Sequence, residues 1–105
     1  MEGEYPFAWQ ERVNRWLHMV SGQNDKAPIK INQDANFYSL SLDVGKEIGM
    51  TINKGRQGYL VQIEGSSFTN DVSLEKHDAL EIIEENIIIK AQQLSHFLLI
   101  EMKKP

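Results

Sequence analysis

Lys54-Gly55-Arg56-Gln57-Gly58-Tyr59-Leu60-Val61-Gln62-Ile63-Glu64-Gly65 is the stretch that decides how this chain folds. Two glycines within five residues mark a turn over 54–58, because glycine reaches backbone angles that other residues resist. From Tyr59 the side chains alternate. Tyr59, Val61 and Ile63 fall on one face, and Leu60, Gln62 and Glu64 on the other, the two-residue period of a strand. Gly65 closes the run, so the segment predicts a strand held between two sharp turns.

The same pattern recurs on both sides of it. Strands are expected over Ile29–Ile31, Asn36–Leu42, Glu47–Ile52, Tyr59–Glu64, Ser67–Thr69, Val72–Leu74, Ala79–Ile83, Ile87–Lys90 and Phe97–Met102, with joints rich in Gly, Asn, Asp or Lys. Between Arg12 and Val20 two periods compete. Val13, Trp16, Leu17 and Val20 have helical spacing, whereas Trp16, His18 and Val20 alternate, and a strand over Asn14–Val20 is the expectation. Ser21–Ala27 is polar and precedes Pro28, which predicts a loop.

A helix over Ser73–Gln93 is the competing reading, since Glu, Lys, Ala and Leu are good helix formers. Consecutive β-branched residues Ile87, Ile88 and Ile89, and the lack of an apolar stripe that spares Asp78, Glu84 and Asn86, favour strands. Three turns are specific: Asp43–Lys46, Asn70–Asp71 and Glu75–Asp78, where Asn and Asp tolerate the positive φ of a tight hairpin. Many short strands at near-regular spacing predict an all-β sandwich or barrel.

A chain of 105 residues with 41% apolar side chains has room for one core. The division expected is an N-terminal arm over 1–11 and a single barrel domain over 12–105. Eleven basic against fifteen acidic residues leave a net charge of -4, which supplies no cationic field for nucleic acid or an anionic membrane surface. No cysteine is present, so there is neither a disulfide nor a thiolate metal site. The acidic start Met1-Glu2-Gly3-Glu4 does not resemble an export signal, and no apolar run approaches a spanning length. The cytoplasm is the expected location.

Several segments in order resemble one family: Leu17–Gly22, Ile29–Asn36, Gly55–Gly65, Asp78–Glu81 and Ser95–Met102. Together they are similar to the C-terminal cupin half of bacterial pirin-like proteins, the quercetin 2,3-dioxygenase-like group, and the similarity runs from about Arg12 onward. The resemblance implies a small cupin-type jelly-roll β-barrel. It also implies that a companion barrel in the same polypeptide carries the metal and the proposed dioxygenase chemistry, and that Glu4–Gln10 corresponds to the connector out of that barrel.

A catalytic cupin binds its metal through two histidines one residue apart, a glutamate just after them and a third histidine after the next hairpin. Such a set suits Fe, Mn, Ni, Cu or Zn. By the resemblance the first group should lie shortly before Tyr59, where this chain has Ile52, Lys54 and Gly58, and the third histidine near Asn86–Ile88, where it has none. The expectation is a barrel with no metal, no cofactor and no dioxygen chemistry.

Three histidines remain. His18 falls on an expected strand beside Trp16, His77 on a turn where the family more often has glycine, and His96 at the start of the last strand. The plain reading makes His18 and His96 packed imidazoles and His77 a solvated turn residue. The sharper one is a displaced metal site joining His18 and His96, with His77 a further candidate, to Glu101 or Glu81, although no short ligand pattern links them.

No cysteine nucleophile, Gly-x-Ser-x-Gly elbow or phosphate loop appears, and Glu84, Glu85, Lys103 and Lys104 read as solvated surface. Tyr5, Phe7, Trp9 and Trp16 cluster in the first sixteen residues, and rings of this size concentrate interaction energy. Tyr5, Trp9 and Trp16 are therefore the contact candidates.

The leading expectation is a non-catalytic barrel acting as a structural or interaction half, its partner a metal-bearing cupin barrel or a second copy. Two further expectations stand beside it: a quercetin 2,3-dioxygenase-like enzyme with a displaced site, and a barrel whose mouth binds a small molecule without transforming it.

Overall fold

The computed structural model describes residues 12–21, 29–30 and 35–104. Ten strands are present among them: β1 (Leu17–Ser21), β2 (Ile29–Lys30), β3 (Ala35–Leu42), β4 (Glu47–Thr51), β5 (Arg56–Glu64), β6 (Ser67–Thr69), β7 (Val72–Leu74), β8 (Ala79–Ile83), β9 (Asn86–Ala91) and β10 (Ser95–Lys103). They form a six-stranded sheet in the order β2-β1-β3-β10-β5-β8 and a four-stranded sheet in the order β4-β9-β6-β7. All pairs are antiparallel except β1 with β2. The chain is all-β and folds as the cupin-type sandwich that the resemblance implied.

The two-residue period sets which side chains meet between the sheets. Tyr38, Leu99, Leu60 and Leu80 are successive register partners across β3, β10, β5 and β8, and His18 of β1 lies opposite Tyr38. One row towards the barrel end lie Asn36, Glu101, Gly58 and Ile82. These rows face inward, because Leu40, Leu42, Leu60, Ile82, Phe97 and Leu99 on the same parity are fully buried. From the opposite sheet Ile87, Ile89 and Ala91 complete the core, with Ile52 and Leu74 entering from the strand ends. Each fully buried aliphatic side chain contributes about 1.5–3 kcal/mol.

The turns follow their residues. Asn70 and Asp71 have φ of 48° and 67° and join β6 to β7. The Asn70 side chain also accepts from the Ile88 amide and donates to the Asn86 carbonyl, pinning β9 alongside. His77 has φ of 75° in the turn before β8, the conformation that suits glycine best. Gly65, at φ 82°, is the only residue type that fits its position, since a Cβ there would land on the Leu94 carbonyl oxygen.

Three sequence expectations are corrected. The turn expected over 54–58 is confined to Lys54 and Gly55, and β5 begins at Arg56, so Gly58 lies inside the strand. Its place there is steric: an added Cβ would sit 3.2 Å from Ile52 Cδ1 and 3.3 Å from Leu99 Cδ1. The strand expected over Asn14–Val20 begins only at Leu17 and runs on through Ser21, which the sequence had placed in a loop. Asn14 has φ of 58° and is tied to the neighbouring turn, with its amide nitrogen donating to Ser41 O, its Nδ2 to Asp43 Oδ2, and its Oδ1 accepting from the Asp43 amide. Glu84 and Lys104, read as solvated surface, are solvent-accessible and paired: the Glu84 carboxylate accepts from the Gly55 amide at 2.8 Å and meets Lys104 at 3.0 Å, linking the β8–β9 turn to the start of β5.

Candidate functional site

The barrel interior has two polar regions separated by an apolar floor. At the closed end Gln62 is fully buried on β5; its Oε1 accepts from Ser67 Oγ at 2.7 Å and its Nε2 donates to the Glu64 carbonyl at 2.8 Å. Ser67 Oγ also lies 3.4 Å from Thr69 Oγ1. Donors and acceptors here satisfy one another, which locks β5 to β6.

The other end is different. Four adjacent strands each contribute one inward polar side chain: His18 from β1, Asn36 from β3, Glu101 from β10 and Arg56 from β5. Arg56 donates from Nε to Glu101 Oε2 at 2.6 Å and from Nη2 to Oε1 at 2.8 Å, a two-pronged charge-assisted pair. Asn36 Nδ2 donates to the same Oε1 at 2.9 Å, and Asn36 Oδ1 lies 3.0 Å from His18 Nε2.

This order fixes a tautomer. A carboxylate only accepts, so the Asn36 amide nitrogen must face Glu101 and its oxygen must face the imidazole. His18 Nε2 therefore carries the proton, and in the neutral ring Nδ1 holds the lone pair.

Aromatic rings pack beside this network. The His18 and Tyr38 rings stack with centroids 4.5 Å apart at 20°, and Trp16 meets Tyr38 edge-on at 6.3 Å. Trp16 Nε1 donates to the Gly49 carbonyl of β4 at 3.2 Å, joining the two sheets at this corner. Burial raises the Tyr38 hydroxyl above its ordinary pKa, the Glu101 carboxylate raises it further, and Arg56 opposes both.

Of the residues singled out in the sequence, the structure brings His18 and Glu101 into one network, through Asn36. It does not bring in the others. His96 lies on β10 between the fully buried Ser95 and Phe97 and is itself partly exposed, on the alternate face of the strand. His77 occupies an exposed turn, and Glu81 lies on the outer face, accepting from the Tyr59 hydroxyl at 3.2 Å. Among the described residues no group of three or more His, Asp or Glu is placed to hold a metal. Trp16 is half-buried in the corner just described, whereas Tyr5 and Trp9 lie outside the described residues.

At the positions that the resemblance assigns to metal ligands the chain has Ile52, the exposed Lys54, Gly58 and, for the third histidine, the stretch Asn86–Ile88. Ile52 and Ile87 are buried with aliphatic ends, Gly58 has no side chain, and Ile52 Cδ1 and Leu99 Cδ1 close over it. These groups offer carbon where imidazole nitrogen would be needed.

Asn36, Tyr38 and Arg56 carried no functional signal in the sequence. A polar residue every second position on the inner face of β3, at Asn36 and Tyr38 before Leu40 and Leu42, is the trace that was available.

The family description "Quercetinase C-terminal cupin domain" matches residues 18–102. Among solved structures the chain is similar to the bacterial pirin YhhW from Escherichia coli in complex with nickel(II), with a TM-score of 0.80 and 24% identity over 89% of this chain and 41% of that one. It is similar to quercetin 2,3-dioxygenase from Acinetobacter baumannii, with a TM-score of 0.74 and 18% identity over 84% and 32%. A cupin domain of an XRE family transcriptional regulator from Enterobacter cloacae gives a TM-score of 0.62 at 13% identity over 70% and 86%. At these identities the likeness is one of fold. The chain spans 41% of the pirin and 32% of the dioxygenase. A comparison with curated proteins found no match. No helix among the described residues is long and apolar enough to cross a membrane.

Proposed function

The chain belongs to the family of quercetinase C-terminal cupin domains, and from that premise we propose that it works as a metal-free, non-catalytic cupin half that stabilises or covers a metal-bearing cupin barrel. One observation supports the reading: at the positions that the resemblance assigns to ligands, Ile52 and Ile87 are buried aliphatic residues, Gly58 has no side chain and Lys54 is an exposed turn residue. Replacing that aliphatic cluster by a hydrated ion would cost both its burial and the ion's desolvation.

A half of this kind acts through surfaces. Tyr5, Trp9 and the half-buried Trp16 are the proposed aromatic contacts, with a metal-bearing barrel or a second copy as the partner and the cytoplasm as the setting.

Elemental analysis of the purified chain, after growth with Fe, Mn, Ni, Cu and Zn, tests the first part. Less than a tenth of an equivalent of each is expected, on the order of adventitious binding. A stoichiometric ion that is lost on His18→Gln or His96→Gln would overturn the reading in favour of a displaced-site enzyme.

A further inference from the structure

The outer faces of the two sheets differ in kind. On the four-stranded sheet the outward side chains suit a wet surface: Glu47 and Thr51 on β4, Asn86 and Lys90 on β9, with Phe68 and Ile88 as apolar members. On the six-stranded sheet the register sets out three outward rows. Leu17, Leu98 and Val61 lie in one, with Ser39 between the first two and Ala79 at its end. Phe37, Ile100 and Tyr59 form the next, and Met102 and Ile83 lie in the third on either side of Gln57. These positions alternate with the buried Leu40, Leu60, Phe97 and Leu99, so they point away from the core. Glu81, at the β8 edge, is the one charged side chain in the three rows, and it accepts from the Tyr59 hydroxyl. An antiparallel sheet usually keeps one face polar and wet. Here both faces are apolar, and among the described residues no further layer lies over the outer one: Tyr59 is 36% exposed, Ile63 41% and Ile83 48%.

We propose that this face docks a second copy of the chain, the two six-stranded sheets packing against each other about a two-fold axis near Ile100. Such a pairing gives the interaction role proposed above its surface, and it rests on that role. Charge selects the occupant. The chain carries a net charge of -4, yet the three rows hold a single carboxylate, already hydrogen-bonded at the edge, so two copies meet here without bringing like charges together. A strongly charged partner finds no group of opposite sign to pair with. Size agrees with the choice. β10 runs through the centre with Leu98, Ile100 and Met102 along it, and β3 and β5 lie on either side. At ordinary sheet spacings the rows cover about 19 Å across the strands and about 14 Å along them. That is the apolar centre of a patch of roughly 800 Å2, the area a stable dimer buries on each subunit. Sheets that pack face to face keep their strands within about 30° and interleave their side chains, which a face presented to its own copy achieves by symmetry.

Sedimentation velocity of the full chain is the test. A dimer is expected at about 100 μM, with a growing monomer fraction on dilution to about 1 μM, the range in which a micromolar Kd is read. Ile100→Asp puts two unpaired carboxylates at the centre of the contact and should weaken association about a hundredfold. Ile88→Asp, on the outer face of the other sheet and 57% exposed in the native chain, should leave association unchanged. Unfolding midpoints of both variants are checked, and an NMR measurement on the native chain stands even if Ile100→Asp fails to fold. At high concentration the methyl groups of Leu98 and Ile100 should lose access to a soluble paramagnetic probe, while those of Ile88 keep it. A native chain that stays monomeric at the highest concentration overturns the proposal, whether the arm over 1–11 or another barrel then covers the face. So does a dimer that a folded Ile100→Asp leaves intact, or one in which Ile88 is protected and Ile100 is not. A monomer leaves the metal-free reading standing, whereas a stoichiometric metal ion removes that reading without touching the dimer, so the two failures are distinct.

Discussion

Arg56 grips Glu101 from a diagonal position across β5 and β10, and the same carboxylate accepts from Asn36, whose Oδ1 lies 3.0 Å from His18 Nε2 two strands beyond β10. The side chains of the pair are only 20% and 12% exposed, so the interaction is not a solvated surface contact. Its importance lies less in its own strength than in what is left if one partner goes.

Removing the guanidinium leaves a mostly buried carboxylate with fewer donors. Arg56→Leu should destabilise the fold by about 2–3 kcal/mol in urea unfolding. The double substitution Arg56→Leu with Glu101→Leu should recover part of that loss, giving a favourable coupling in a double-mutant cycle. Strict additivity would mean that the pair is not coupled.

Gly58 and Ile52 share one space. Gly58→Ala places a methyl 3.2 Å from Ile52 Cδ1 and 3.3 Å from Leu99 Cδ1, closer than packed carbons sit. The expected cost is about 1–2 kcal/mol. In an Ile52→Val background the same change should cost less, and an undiminished cost would locate the clash at Leu99 instead.

Glu84 predicts part of the acid limb. Its pKa is lowered first by the Gly55 amide donating to it and then by Lys104. A carboxylate with a depressed folded pKa adds stability that is complete above its unfolded value near 4.5 and disappears as pH falls through the folded one. Unfolding midpoints of the native chain should therefore exceed those of Glu84→Gln at neutral pH and converge with them in acid below that window. Parallel curves throughout would show that the acid limb belongs to other groups.

His77 is held at φ 75° and contributes only its backbone amide, which donates to the Gln62 carbonyl at 2.6 Å. His77→Gly keeps that bond and removes the steric cost of the left-handed conformation. A gain of about 0.5–1 kcal/mol is expected by thermal or urea unfolding. His77→Val, β-branched and unsuited to positive φ, should lose stability by a similar or larger amount, and a neutral outcome for both would mean that the turn relaxes.

The strands were legible where the alternation is undisturbed. Ser67–Thr69, Val72–Leu74 and Ala79–Ile83 match their expected bounds, because each is a short run closed by turn residues whose backbone angles their side chains announce. Errors arose where a residue's local preference and its packing disagree. Gly58 looks like punctuation in the sequence, yet it lies within a strand because Ile52 and Leu99 claim the volume of its side chain. Asn14 alternates with its neighbours in sequence, yet it turns out of the strand to meet Asp43 and Ser41.

What the amino-acid order determined alone is the all-β class, the turns at Asp43–Lys46, Asn70–Asp71 and Glu75–Asp78 and the family, because period, turn chemistry and ordered segments are properties of neighbouring residues. What only the tertiary structure decided is the polar network. His18, Asn36, Tyr38, Arg56 and Glu101 come from four strands distant in sequence, and each alone reads as an ordinary polar strand residue. Sheet register brings them onto one inner face above an apolar floor, where reduced solvent makes their hydrogen bonds strong enough to hold a single arrangement.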